Sequence, residues 1–193
     1  MNTRIFPFLL IAVASLSLGS CGYNKLVSQD ENCNGKWAQV ENAYQRRADL
    51  IPNIVETVKG EANFEQETLT KVMEARASAT QVKIDPSNMT EEDLKRFEDA
   101  QYTLGGTISR LLSVAESYPT LQANQAFHDL RIELEGSENR IAVERKNFID
   151  AVQQYNTTRR RFPTNITASL FGFGKRATFT AQPGSDKVPE VKF

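Results

Sequence analysis

One histidine and two cysteines in 193 residues leave no zinc-ligand set and no disulfide framework. A glycine-rich phosphate loop is missing, and so is the strand-turn-helix motif that presents a serine nucleophile. Neither sign of charge dominates: 23 Lys and Arg stand against 24 Asp and Glu, where a dedicated nucleic-acid binder carries a strongly basic domain. No apolar run reaches the roughly 20 residues that a membrane-spanning helix needs. The longest, from Phe6 to Leu18, has thirteen residues and is interrupted by Pro7, Ser15 and Ser17.

That short run has the layout of a targeting segment. Arg4 supplies a positive charge ahead of it, and Leu18-Gly19-Ser20-Cys21 closes it with small residues. The last four residues look like a bacterial lipoprotein signal, in which the Cys21 sulfur carries the lipid after cleavage. Two or more acyl chains make a stable anchor, at about 0.8 kcal/mol per buried CH₂. The alternatives are a signal anchor that is retained, or a cysteine present by chance. The first two readings hold the domain at a membrane, outside the cytoplasm.

The rest of the chain is patterned for helices. Trp37, Val40, Tyr44, Ala48, Ile51, Val55, Val58 and Ala62 recur at gaps of three and four. Pro52 interrupts this stripe without shifting its phase, which favours one bent helix over a new start capped by Asp49. Phe64 to Val82 carries Leu69, Val72, Arg76 and Ala79 on one face; whether it continues past Gly60 is left open. Ile84 to Met89 is dense in turn residues, and Thr90 ahead of Glu91, Glu92 and Asp93 reads as a helix N-cap.

Leu94, Phe97, Gln101, Leu104, Ile108, Leu111, Ala115 and Tyr118 then form an unbroken seam, with Gly105 and Gly106 beside it and Pro119 ending it. Phe127, Leu134, Ile141, Phe148, Tyr155 and Phe162 follow at intervals of seven, so Leu121 to Arg161 reads as one helix roughly 60 Å long. Such a length requires equally long partners. Beyond Pro163 the periodicity fails, yet Phe171, Phe173, Phe179 and Phe193 give that stretch more aromatic weight than a solvated tail holds. Part of it is expected to dock, with Gln182 to Lys187 loose.

Several runs together resemble the LemA family of bacterial membrane-associated proteins. They are Tyr23-Asn24-Lys25-Leu26-Val27, Arg46 to Asn53, Val55 to Gly60, Ala115 to Pro119, Glu135 to Ile141, Tyr155-Asn156, Phe162 to Asn165 and the closing Pro189 to Phe193. The resemblance implies a bundle of long antiparallel helices with its N-terminus at the membrane. It implies no activity, the family having no established molecular function. Cys21 is a departure, since the family more often carries an N-terminal spanning helix.

The remaining candidates for chemistry are few. His128 lies in a helical run with no nucleophile motif to serve, and reads as a surface residue. Cys33 reads as a packed thiol, with intermolecular pairing as the alternative. Glu138 and Arg145 share a face of the last helix beside its apolar positions. An ion pair from Arg46 or Arg47 to a glutamate of that helix would fix the antiparallel register; solvated side chains are the alternative. Arg159, Arg160 and Arg161 complement a helix C-terminus or stay solvated, with contact to anionic lipid headgroups or phosphate as the alternative.

The expectation is an all-α, elongated antiparallel bundle of three or four long helices with an irregular aromatic C-terminal segment. Residues 1–20 form the signal, 21–165 the bundle and 166–193 the partly docked end. The function expected is that of a non-enzymatic membrane-anchored scaffold or adaptor of the cell envelope. It would use a protein partner or self-association, the membrane through Cys21, and no cofactor, metal, nucleic acid or identified small-molecule substrate. The alternative is an envelope enzyme, or a regulator of a membrane enzyme, with a pocket between helices.

Overall fold

A computed structural model describes the backbone of residues 5–61 and 64–180, and the side chains of residues 22–61 and 64–180. The proposed signal and the Cys21 side chain therefore lie outside the described side chains, and Gln182 to Lys187 and Phe193 lie outside the described residues altogether. Among the described residues the protein is all helix and connection, with no strand. Among those residues, too, no helix is long and apolar enough to cross a membrane.

Among the described residues six helices follow in order: α1 (Ile5–Lys59), α2 (Gln66–Gln81), α3 (Glu91–Ala115), α4 (Pro119–Gln122), α5 (Gln125–Arg160) and α6 (Thr164–Leu170). The frame is the antiparallel pair α1 and α5. Their 55 and 36 residues correspond to about 80 and 54 Å at 1.5 Å per residue. The α2–α3 hairpin packs along this pair, and α6 crosses the end where α1 enters and α5 finishes.

The apolar stripe of α1 runs unbroken through Pro52, which lies inside the helix. Asp49 caps nothing there; its carboxylate accepts from Gln45 Nε2 at 2.7 Å. Gly60 does end the helix, and α2 starts afresh at Gln66. Thr90 is the N-cap of α3 in a reciprocal capping box: its Oγ1 accepts from the Asp93 amide at 3.0 Å, and Asp93 Oδ2 accepts from the Thr90 amide at 3.1 Å. All of the α3 seam from Leu94 to Ala115 is buried.

Three features depart from the periodicity. The long C-terminal helix begins at Gln125, not Leu121: Pro119 opens the short α4, and Asn124 Oδ1 then accepts from the Phe127 amide at 3.2 Å to cap α5. Phe162, the last residue of the seven-residue series, is 81% exposed because α5 has ended two residues earlier. And Thr164–Leu170 is helical where the loss of rhythm suggested irregular chain.

Two apolar clusters fill the bundle. One gathers Leu26, Cys33, Trp37, Phe97, Phe148 and Tyr155 around the α1 and α5 ends nearest α6. The other gathers Ile51, Ile54, Val58, Leu69, Leu104, Leu111 and Leu134 towards the opposite end. Trp37 is fully buried and meets Phe97 and Phe148 edge-on, with centroids 5.3 and 5.4 Å apart. Phe179 completes this cage at 6.0 Å from Trp37 and 5.6 Å from Phe148. The chain after α6 is thus a strap seated in the core, and the docking expected of the aromatic segment holds for Phe179 and, half-buried, for Phe173.

Candidate functional site

Between the two apolar clusters lies a band of charge that ties α1, α3 and α5 together. Arg47 is only 3% exposed. Its Nη1 donates to Glu138 Oε1 at 2.6 Å, and its Nη2 to Gln101 Oε1 at 2.7 Å and the Gln101 carbonyl at 3.1 Å. Of the two arginines that could have made the register pair, Arg47 makes it; Arg46 stays exposed. Gln101 hands the chain of bonds on, donating from Nε2 to the Ala79 carbonyl of α2 at 3.4 Å.

Arg145 forms the second knot, about two helical turns from Glu138. It donates from Nη2 to Glu98 Oε1 at 2.5 Å and from Nη1 to Tyr44 Oη at 3.1 Å, and its guanidinium lies 3.9 Å from the centre of the Phe179 ring. Burial alone would lower its pKa, but Tyr44 and Glu98 outweigh that and the net direction is upward. Arg145 is a fixed cation. Glu98 had given no signal in the sequence, because it sits one residue outside the α3 seam.

Alongside both knots α3 and α5 part to leave an open groove of about 560 Å³. Ile108, Leu112 and Leu134 give it an apolar floor, Tyr102 stands 70% exposed at its rim, and Glu98, Glu135 and Glu138 mark its acidic side. Gly105 and Gly106 line it as well. A Cβ on Gly105 would meet Arg47 Nη1 at 3.8 Å, an ordinary contact, and one on Gly106 would meet nothing within 4 Å. The glycines therefore leave the groove wide, and no helix backbone packs on them.

A third knot holds the strap. Arg176 donates from Nε to Asp30 Oδ1 at 2.6 Å and from Nη1 to the Pro86 carbonyl at 2.9 Å, while its amide donates to Asn156 Oδ1 at 3.1 Å. Tyr155 Oη donates to the Gly174 carbonyl at 3.0 Å, and Arg159 Nε to the Phe173 carbonyl at 2.6 Å. The arginine run thus divides its work: Arg159 fastens the strap, and Arg160 and Arg161 remain exposed.

The other single residues take bland places. His128 is half exposed on α5, its Nδ1 3.6 Å from Asp129. Cys33 is fully buried in the core, where burial pushes its thiol up to about 11 against the opposing pull of Arg176. Packing accounts for it, and pairing between molecules would require the core to open. Among the described residues no cluster of His, Cys, Asp and Glu could hold a metal ion.

Residues 36–193 match the LemA family. Magnetosome protein MamQ 2 of Paramagnetospirillum magneticum is 26% identical over 194 residues, which cover 92% of this chain and 71% of that protein. MamQ of Magnetospirillum gryphiswaldense is 25% identical, over 92% of this chain and 74% of its own. Protein LemA of Metamycoplasma hominis is 23% identical, over 91% and 78%.

Proposed function

The chain belongs to the LemA family, and from that premise we propose that it is a non-enzymatic, membrane-tethered protein of the cell envelope that works as a helical scaffold or adaptor. One observation supports this above the others. The charges at the centre of the bundle are spent on one another: Arg47 on Glu138 and Gln101, Arg145 on Glu98 and Tyr44. A general acid or base needs a group poised to change protonation beside a substrate. These groups instead hold three helices in register next to an open groove with an apolar floor. That is the form of a surface that accepts an extended or helical segment of a partner or of a second copy.

Cys21 is the tether in this reading, carrying lipid after cleavage or sitting at the end of a retained signal anchor. Cys21→Ala then releases the chain into the soluble fraction or stops its processing; an unchanged membrane pool with unchanged gel mobility sinks the lipid tether. The groove is tested by a photo-crosslinking residue in place of Gly106, which points into open space. In native membranes it captures one discrete protein partner, and Tyr102→Glu, at the exposed rim of the groove, abolishes the adduct. Diffuse labelling indifferent to Tyr102→Glu sinks the adaptor role.

The second reading, a regulator or enzyme with a pocket between helices, draws on Arg47 Nε, a buried donor with no partner among the described residues beside that groove. A small anion protected there, shifting the Arg47 side-chain resonances, would favour it.

A further inference from the structure

We propose that α6 and the residues flanking it form a foot that rests in the interface of an anionic bilayer, a second and non-covalent membrane contact. Phe162, Ile166, Leu170 and Phe171 are 81%, 59%, 77% and 58% exposed. Water-facing surfaces of soluble domains rarely gather large apolar side chains so closely in one place. The helix does not hide them because it is already packed on its other side. Thr167 and Ala168 are buried against the bundle, and a Cβ on Gly22 would lie 3.4 Å from Thr167 Oγ1. Ile166 and Leu170, four residues apart, therefore share the outward face.

The position of the patch names its occupant. Tyr23 meets Phe171 edge-on, with centroids 4.9 Å apart, so the apolar surface adjoins the residue that follows Cys21 and Gly22. A chain tethered at Cys21 holds this end of the bundle, and no other, against the bilayer. The surrounding charge fits a lipid surface: Arg160 and Arg161 lead directly into Phe162, and Lys25 is exposed one turn along α1 from Gly22. Apolar side chains that enter the acyl boundary, under cations that reach phosphate headgroups, are the chemistry of interfacial anchoring.

Which end faces the membrane rests on the tether reading; the exposed patch does not. The foot is read with the full chain carrying Leu170→Trp, reconstituted in vesicles of phosphatidylethanolamine and phosphatidylglycerol with brominated acyl chains. Trp37 adds a fixed, buried background. The added Trp emission falls about twofold or more on bromination, whereas Trp placed at Ser117, at the far end of the bundle, is unaffected. In the Cys21→Ala chain, flotation with the same vesicles persists weakly and drops about tenfold further with Ile166→Ser and Leu170→Ser together. Folding of that variant is checked by its unchanged near-ultraviolet dichroism from Trp37. A Trp at position 170 as insensitive to brominated lipid as one at 117 overturns the foot, even where Cys21 still retains the chain on the membrane. Retention of Cys21→Ala on membranes without any loss refutes the tether instead, and the Leu170→Trp signal still decides the foot.

Discussion

Arg47 and Glu138 share one ion pair but not one environment. Arg47 is buried and also satisfies two acceptors on Gln101, whereas the Glu138 side chain is half exposed. Removing the arginine leaves Gln101 acceptors and a glutamate without their donor inside the bundle. Arg47→Ala is expected to cost about 3 kcal/mol, and Glu138→Ala, whose arginine keeps Gln101, about 1 kcal/mol. Urea unfolding of both variants and of the double variant checks this. Losses that add independently would show that the two residues do not act as a pair.

Cys33 makes a prediction in pH at the same scale. Its thiol titrates at about 11 in the folded chain against an ordinary 9.0. Between those values the folded state keeps a proton that the unfolded chain releases, so stability falls as pH rises through that window. The loss is on the order of 2 kcal/mol, and Cys33→Ala removes it. Unfolding midpoints of both chains at about pH 8 and about pH 10.5 measure the difference.

At the scale of the element, α3 shows how much local chemistry settles. The capping box at Thr90 supplies donors and acceptors to both ends of its own first turn, and Thr90→Ala is expected to cost about 1 kcal/mol by thermal unfolding. This start, the α3 seam, the continuous helix through Pro52 and the seven-residue rhythm of α5 were legible in the sequence because each is a short-range regularity. The break at Ala123-Asn124 was not, since neither residue is a proline or glycine and both are tolerated inside a helix. Nor was α6: seven residues hold too few apolar positions to show a period, and α6 persists through its packing on Gly22 and α5. The site was half legible. A pair from Arg46 or Arg47 to the last helix follows from charges beside a seam. Glu98, Gln101 and Tyr44 as its companions follow only from how three helices meet.

The whole molecule adds what no element contains. The core cluster nearest α6 is closed by a piece of chain far away in sequence: Phe179 seats against Trp37, Phe148 and Arg145, and Arg176 bridges Asp30 to the α2–α3 turn. Phe179→Ala therefore opens a cavity beside Trp37 and strips Arg145 of its ring. The expected loss is about 3 kcal/mol, with a red shift of Trp37 emission, read by fluorescence-monitored unfolding. An unshifted spectrum would mean that the strap does not seal the cage.

The strap also imposes an order in time. Trp37 leaves the ribosome about 140 residues before Phe179. Until Phe179 is made the growing chain carries the Trp37 cage unroofed, and a product that stops short of Phe179 never acquires the roof. An open Trp37 pocket therefore marks any chain cut before Phe179, and a closed one marks a chain that carries it.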